Sequence, residues 1–278
     1  MADCMSNGKI ETTMRERIAK RKIADLVTHP PFPKDIMIEV TNACNHKCVF
    51  CPSNKAKRKR GYIEHNLCAR ILVEAHNEGA REVGLYTTGE PLLHEDLPYL
   101  VRTAKDIGYD YIYISTNGSL LTEKLADELI EAGLDSIKFS INASTRETYW
   151  KIHRKSHFDR VIANFDAIKG IKKMVTFVVT DDNRHEQASA KKNIQADELL
   201  FVPERTSVKI PCTMLFNRFH VTWEGYATMC CIDFENELVV ADLNKVSIGD
   251  AWVSEGAVAL REAHLRGDIV GTPCAKCL

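Results

Sequence analysis

No stretch of the 278-residue chain approaches the roughly 20 consecutive apolar residues that a membrane-spanning helix needs. The first residues, Met1 to Lys20, are mixed and charged and lack the apolar centre of a secretory signal. A cytoplasmic location is the expectation, with no membrane partner. Charge of one sign is also missing: 37 Lys and Arg stand against 38 Asp and Glu, a formal net charge of −1. That balance argues against a dedicated nucleic-acid binder, which carries a clear basic excess. Low-complexity segments and internal repeats are absent, and an apolar content of 45% is ordinary for a chain with a proper core.

Cysteine, in contrast, is abundant. Ten of them in a chain without an export signal point to metal rather than disulfides. Cys44, Cys48 and Cys51 lie within eight residues, and Cys212, Cys230, Cys274 and Cys277 occupy the last quarter. Cys4, Cys68 and Cys231 fall in neither set.

From Asp35 to about Val202, short β-rich runs alternate with helical patterns. Strands are expected at 36–40, 83–86, 111–114, 136–140, 175–179 and 199–202. Helices are expected at 66–77, at 97–107 with Gly108 as its stop, at 121–129 and at 158–171. Repeated strand–helix units imply parallel strands with right-handed crossovers, in an open sheet or a partial barrel. In either case ligands gather beyond the C-terminal strand ends. Past Glu204 the texture changes to a hairpin (219–223 and 226–229), a strand at 238–240 and a helix at 254–266. This tail is short for a core of its own and is expected to rely on a metal staple.

Three thiolates on a loop just past a buried strand leave one iron of a 4Fe–4S cluster without a protein ligand, so that iron can bind a small molecule. A zinc site is the alternative, with His46 as a fourth ligand by type. The loop Cys44-Asn45-His46-Lys47-Cys48-Val49-Phe50-Cys51 resembles the signature of the radical S-adenosylmethionine (SAM) superfamily. The resemblance runs from Ile38 to Cys277 and implies an α/β fold, a partial (β/α)6 TIM-like barrel. It also implies that SAM chelates the open iron and is cleaved to a 5′-deoxyadenosyl radical, with a flavodoxin- or ferredoxin-type protein as reductant. Thr88-Gly89-Glu90-Pro91 is similar to the family's Gly-Gly-Glu-Pro motif, with Thr88 in place of the first glycine. By the same resemblance Phe50 packs near adenine, and Glu90 and its neighbours meet the methionyl ammonium. Ser115, Thr116, Asn117, Ser140 and Asn142 hold the ribose and carboxylate, Arg154 binds a carboxylate, and Val179 and Thr180 lie under adenine.

The later set, Cys212-x17-Cys230 followed 43 residues on by Cys274-x2-Cys277, resembles the twitch form of the SPASM extension, and most of all that of the 2-deoxy-scyllo-inosamine dehydrogenases. Four ligands imply a second, auxiliary 4Fe–4S cluster for electron transfer, with a tetrahedral zinc staple as the alternative. Whether Cys230 or Cys231 ligates is left open, with Cys230 preferred. The implied division is an N-terminal helical extension (1–33), the barrel (34–205) and a twitch domain (206–278), a small β-hairpin plus helix.

Oxidation of a sugar, cyclitol or related polyol is the leading expectation. Peptide modification and epimerisation come second, weakened because only about 33 residues precede the first strand. Cyclic pyranopterin synthesis comes third, since its second cluster uses three cysteines and the chain there ends in two glycines. No catalytic base is assigned; His153, His220, Glu224, Asp233 and Glu235 are candidates by position. The basic run Lys55, Lys57, Arg58, Lys59 and Arg60 offers a phosphate grip for an anionic small molecule or, on a non-catalytic reading, for nucleic acid.

Overall fold

In the computed structural model, residues 26–204 and 210–277 are described, the last two without their side chains. The chain alternates β1 (Asp35–Ile38), α1 (His65–Asn77), β2 (Glu82–Gly84), α2 (Leu97–Ile107), β3 (Tyr111–Thr116), α3 (Glu123–Glu131) and β4 (Ser136–Ser140). Two helices, α4 (Arg146–His153) and α5 (Phe158–Ala167), precede β5 (Lys172–Val179). Then come α6 (Gln187–Asn193) and β6 (Glu198–Pro203). β1 to β6 are all parallel and adjacent in chain order, which the short strand–helix units dictate. This is the mixed α/β architecture expected from the pattern, and it is consistent with the partial barrel that the resemblance implies.

One face of the sheet is largely apolar. Ile36, Val83, Ile112, Ile137, Phe139 and Phe177 are buried in a single core beneath the helices. α2 shows how the sequence sets an element's end: Gly108 adopts φ 108° there, a conformation that costs glycine little. Cys68 belongs to neither cysteine set and is fully buried in α1, where it packs as a small hydrophobe. The alternate residues of the strands face the concave side and are largely polar. Cross-strand registers bring Met37, Gly84, Tyr113 and Ser136 into one row, with Ser115 opposite Lys138.

The tail differs from its expectation in one respect. It contains α7 (Met214–Asn217), β7 (Phe219–Val221), β8 (Tyr226–Thr228), β9 (Val239–Asp242), α8 (Ile248–Trp252) and α9 (Glu255–Arg266). The hairpin is there, but β7 pairs in parallel with β1, so nine strands form one sheet in the order β6-β5-β4-β3-β2-β1-β7-β8-β9. The tail thus shares the barrel's core instead of standing on a metal alone. Phe32 meets Phe219 and Trp252 at ring separations of 5.6 and 5.9 Å. The expected N-terminal helix lies mostly outside the described residues; 26–33 have no regular secondary structure.

Arg261 fastens this region. It is fully buried, with its guanidinium 3.9 Å from the centre of the Trp252 ring. It donates to the carbonyls of Leu215 (2.9 Å), Trp252 (2.9 Å) and Thr28 (3.1 Å), tying α7, α8 and the strand's approach segment together. Burial without a carboxylate pulls its pKa down to about 10. Arg261→Met keeps the packing stem and removes the donors. Urea unfolding followed by circular dichroism should show a loss of about 3 kcal/mol, the upper range for hydrogen bonds to a charged group.

Candidate active site

The loop after β1 is closed on itself by side chains that imitate a strand ladder. Asn42 donates to the Lys59 carbonyl (2.8 Å) and accepts from the Gly61 amide (3.0 Å), and Thr41 donates to the Gly61 carbonyl (2.6 Å). Arg60 donates to the carbonyls of Asn42 and Ser53. Between these closures lie Cys44, Cys48 and Cys51, all free thiols. The loop is pinned to α4 by the Lys47 and Val49 amides, which donate to His153 and Ile152 carbonyls at 3.3 and 2.9 Å. His153 also places Nδ1 3.1 Å from Cys48 Sγ, its Nε2 being held by the Ile141 carbonyl at 2.8 Å. A carbonyl only accepts, so Nε2 carries the proton and Nδ1 offers its lone pair to the thiol.

Burial pushes the Cys48 and Cys51 thiols above their ordinary range. Metal binding would have to displace those protons, and its positive charge would repay the desolvated thiolates. Among the described residues, His46, Cys48 and His153 are grouped at single-ion spacing, with ligand atoms within 4.8 Å, and neither Cys44 nor Cys51 joins them. Three thiols on one loop are one ligand short of a closed tetrahedral zinc site, whereas a four-iron cluster takes three protein thiolates and keeps one iron for a small molecule.

A buried carboxylate organises the neighbouring loops. Glu39, 1% exposed, extends β1 and receives the Arg58 guanidinium at 2.7 Å. Arg58 also pairs with Glu224 at 2.5 Å. Desolvation would lower the Arg58 pKa, but the two carboxylates outweigh it and hold it raised. Glu39 further accepts from the hydroxyls of Thr87 and Thr88 and from the Trp223 amide. Thr88, which replaces the family's first glycine, therefore has its own work, since its hydroxyl anchors the motif to β1. Gly89 is required for space. A Cβ there would stand 2.2 Å from the Thr41 carbonyl oxygen and 2.6 Å from that of Ala43.

Glu90 is 2% exposed and accepts from the Thr116 hydroxyl (2.6 Å), the Asn117 amide (2.7 Å) and the Leu92 amide (3.1 Å). Burial pushes its pKa up to about 7 in spite of those donors. Among the described residues no cation is paired with it. A ligand ammonium would supply the missing countercharge, so the residues fit SAM's methionyl end. Asn117 donates to Asn45 (2.8 Å) and Asn45 to Ser119 (3.0 Å), which links the β3 loop to the cysteine loop.

The other expected contacts are distributed as follows. Ser115 and Ser140 end the concave rows of β3 and β4. Asn142, at φ 56°, accepts from the Val178 amide at 2.7 Å, so its side chain braces β5. Val179 ends β5, and the Thr180 hydroxyl is buried with no hydrogen-bond partner among the described residues. Phe50 is half-buried on the cysteine loop, and Pro91 is buried and opens a 3-10 turn to Leu93. Arg154 caps α4 in the left-handed conformation, exposed, 5.1 Å from the centre of the Trp150 ring.

In the tail, Cys212 precedes α7, Cys230 follows β8 beside Cys231, and Cys274 lies in a C-terminal 3-10 turn with Cys277. The Cys277 side chain lies outside the described residues. The Cys212 amide donates to Nδ1 of His264 at 3.1 Å, and His264 is buried.

Several sequence candidates have structural duties instead. Asp233 accepts from Thr228, Glu237 and Leu238, each at 2.8 Å, and shapes the loop after Cys230. Glu235 accepts from the Lys57 amide, Glu224 pairs with Arg58, and His153 holds the cysteine loop. Of the five base candidates, His220 alone stands on the concave face, in register with Met37. Arg58 and Arg60 are likewise used internally. The basic run is a brace for the loop, with Lys55, Lys57 and Lys59 exposed beside it.

Six parallel strands, with a cysteine loop after the first and a Gly-Glu-Pro loop after the second, define an enzyme class that activates a small molecule at the barrel mouth. The Radical SAM superfamily model matches residues 38–191, more than half of the chain, and an iron–sulfur cluster-binding (SPASM) domain matches 212–278. The chain belongs to the radical SAM superfamily. The barrel domain implies a 4Fe–4S cluster with SAM, and the tail an auxiliary iron–sulfur cluster.

The GTP 3′,8-cyclase of Chlorobaculum tepidum is 36% identical over 134 residues, covering 48% of this chain and 40% of that protein. A probable GTP 3′,8-cyclase of Saccharolobus solfataricus is 35% identical over 174 residues, 62% of this chain and 55% of that one. The chain spans about half the length of the curated relatives it matches. Solved structures with the same fold include BtrN in complex with AdoMet and 2-DOIA, with a TM-score of 0.64 and 20% identity, covering 88% of this chain and 92% of that one. anSMEcpe with bound AdoMet gives a TM-score of 0.69 at 14% identity, covering 84% of each chain.

Glu39→Gln should lower the unfolding free energy of the apoprotein by about 3 kcal/mol in urea titrations, because it strips a buried guanidinium of one partner. Gly89→Ala should leave the fold's far-ultraviolet spectrum intact and depress iron retention after reconstitution, measured as iron per chain.

Proposed function

We propose that this radical SAM enzyme oxidises a secondary alcohol of a sugar, cyclitol or related polyol, with the auxiliary 4Fe–4S cluster as electron acceptor. The observation that carries the reading is the four-cysteine tail built onto the barrel's own sheet through β7 and β1. In alcohol oxidation a hydrogen atom leaves carbon, a proton leaves oxygen and one electron must go elsewhere. A cluster whose irons are all ligated by the protein is suited to that last task.

Cys44, Cys48 and Cys51 would hold the first cluster and leave an iron for SAM. When bound, these groups supply the one-electron reduction that cleaves SAM to a 5′-deoxyadenosyl radical and so removes a substrate hydrogen atom. Glu90, desolvated and lacking a cation, would take SAM's ammonium, with Ser115, Thr116, Asn117, Ser140, Asn142, Val179 and Thr180 around the rest. Arg154 would swing from Trp150 to reach a carboxylate. Cys212, Cys230, Cys274 and Cys277 would hold the second cluster. Tyr86 and His220 stand on the concave face below, where a polyol would lie. A flavodoxin- or ferredoxin-type protein would deliver the first electron.

A second reading has a specific observation behind it. The curated relatives are named GTP 3′,8-cyclases, and their likeness supports a cyclisation of a nucleotide at the same barrel mouth. The four-cysteine tail favours the dehydrogenase over it.

The test begins with reconstituted protein. It should carry about eight irons per chain, on the four-iron composition of each cluster, and form 5′-deoxyadenosine from SAM and dithionite. Cys48→Ala should halve the iron and abolish 5′-deoxyadenosine, whereas Cys212→Ala should halve the iron and spare SAM cleavage. Zinc in the tail, or four irons in the parent protein, defeats the dehydrogenase reading. Incubation with cyclitols and with GTP then separates the two chemistries: alcohol oxidation lowers the product's mass by two hydrogens, whereas cyclisation leaves the mass of GTP unchanged and is followed by chromatography.

A further inference from the structure

The concave face holds several charges, and most are matched. Asp35 receives Arg218 at 2.5 Å, Glu39 receives Arg58, and Glu198 pairs with Lys172 at 3.6 Å. Lys138 is different. It lies on β4 between the buried Ile137 and Phe139, so its side chain takes the opposite, concave side, half-buried. Among the described residues no carboxylate lies within ion-pairing distance of it. Its ammonium is fixed instead by Tyr86, donating to the phenol oxygen at 3.1 Å and standing 4.9 Å from the ring centre. The phenol accepts that bond, so its own proton remains to be donated. Two donors, one of them charged, therefore converge at one point of the interior.

Register places this point. Lys138 is opposite Ser115 and two residues before Ser140, or about 7 Å deeper than the strand end at 3.3 Å per residue. It lies beneath the residues proposed to hold SAM, where a substrate would lie. A cation turned toward the interior with no carboxylate in reach can be matched by the negative charge of a ligand.

We infer that Lys138 and Tyr86 form an anion subsite that binds a phosphate or carboxylate group of the substrate. The inference rests on the proposed use of the barrel mouth as the active site and narrows the substrate to an anionic one. It also moves the anion grip away from the basic run, whose arginines are engaged elsewhere.

The probes are inorganic phosphate, observed by 31P line broadening, and 13C-labelled acetate, each titrated into reconstituted protein with SAM. The parent protein should bind at least one of them saturably, and the tighter of the two identifies the source of the charge. Lys138→Met should weaken that binding at least tenfold, Lys138→Arg should largely restore it, and both variants should melt within a few degrees of the parent. Replacing Lys55, Lys57 and Lys59 together by alanine should leave the binding unchanged. No saturable binding, binding that survives Lys138→Met, or binding lost in the triple variant overturns the subsite. Failure of the parent protein to form 5′-deoxyadenosine would instead overturn the catalytic reading, and the titration is read independently of it.

Discussion

The carboxylate of Glu39 is the constraint on which the site's layout depends. One buried residue at the end of the first strand holds three loops that lie far apart in sequence. They are the return of the cysteine loop through Arg58, the Thr-Gly-Glu-Pro loop through Thr87 and Thr88, and the tail's hairpin turn through Trp223. Glu224 completes the arrangement by sharing the guanidinium. A lone buried carboxylate would be costly, but here each oxygen has donors and the charge is matched. The loops that would carry cluster and SAM are thereby positioned from the barrel's interior as well as by their own closures.

That arrangement also accounts for the departure from the family's paired glycines. The first position can carry a side chain because Glu39 waits for a hydroxyl, whereas the second cannot because two carbonyls occupy the space of a Cβ. A motif read as a string treats the positions alike, but the structure separates them by what each would touch.

Strand and helix order was legible because buried parallel strands are apolar runs and the amphipathic helices between them are punctuated by glycine. The cysteine spacings carried the class. α4 was missed because Arg146–His153 mixes β-branched, aromatic and charged residues without a clean apolar stripe, and its N-cap Thr145 looks like any loop threonine. The brace made by Arg58 was hidden inside what reads as a solvated basic run. Likewise, nothing in Ser136-Ile137-Lys138-Phe139-Ser140 tells that the lysine faces inward, because alternation reports two faces without naming them. His153 could be noticed as a histidine, but its approach to Cys48 is a contact between residues 105 positions apart, which no local pattern encodes.

The hydrogen bonds between β1 and β7 bear on the proposed electron transfer. Because the ladder is continuous, the hairpin that leads to Cys230 is placed beside β1 by strand register and not by the stretch that connects barrel to tail. A slip of two residues, which preserves the facing of every side chain, would carry the hairpin about 7 Å along its neighbour. Tunnelling rates fall steeply over such a length. Under the proposed alcohol oxidation, the backbone pairing of these two short strands would act as a spacer between the clusters, one that the length of the connecting loop does not set.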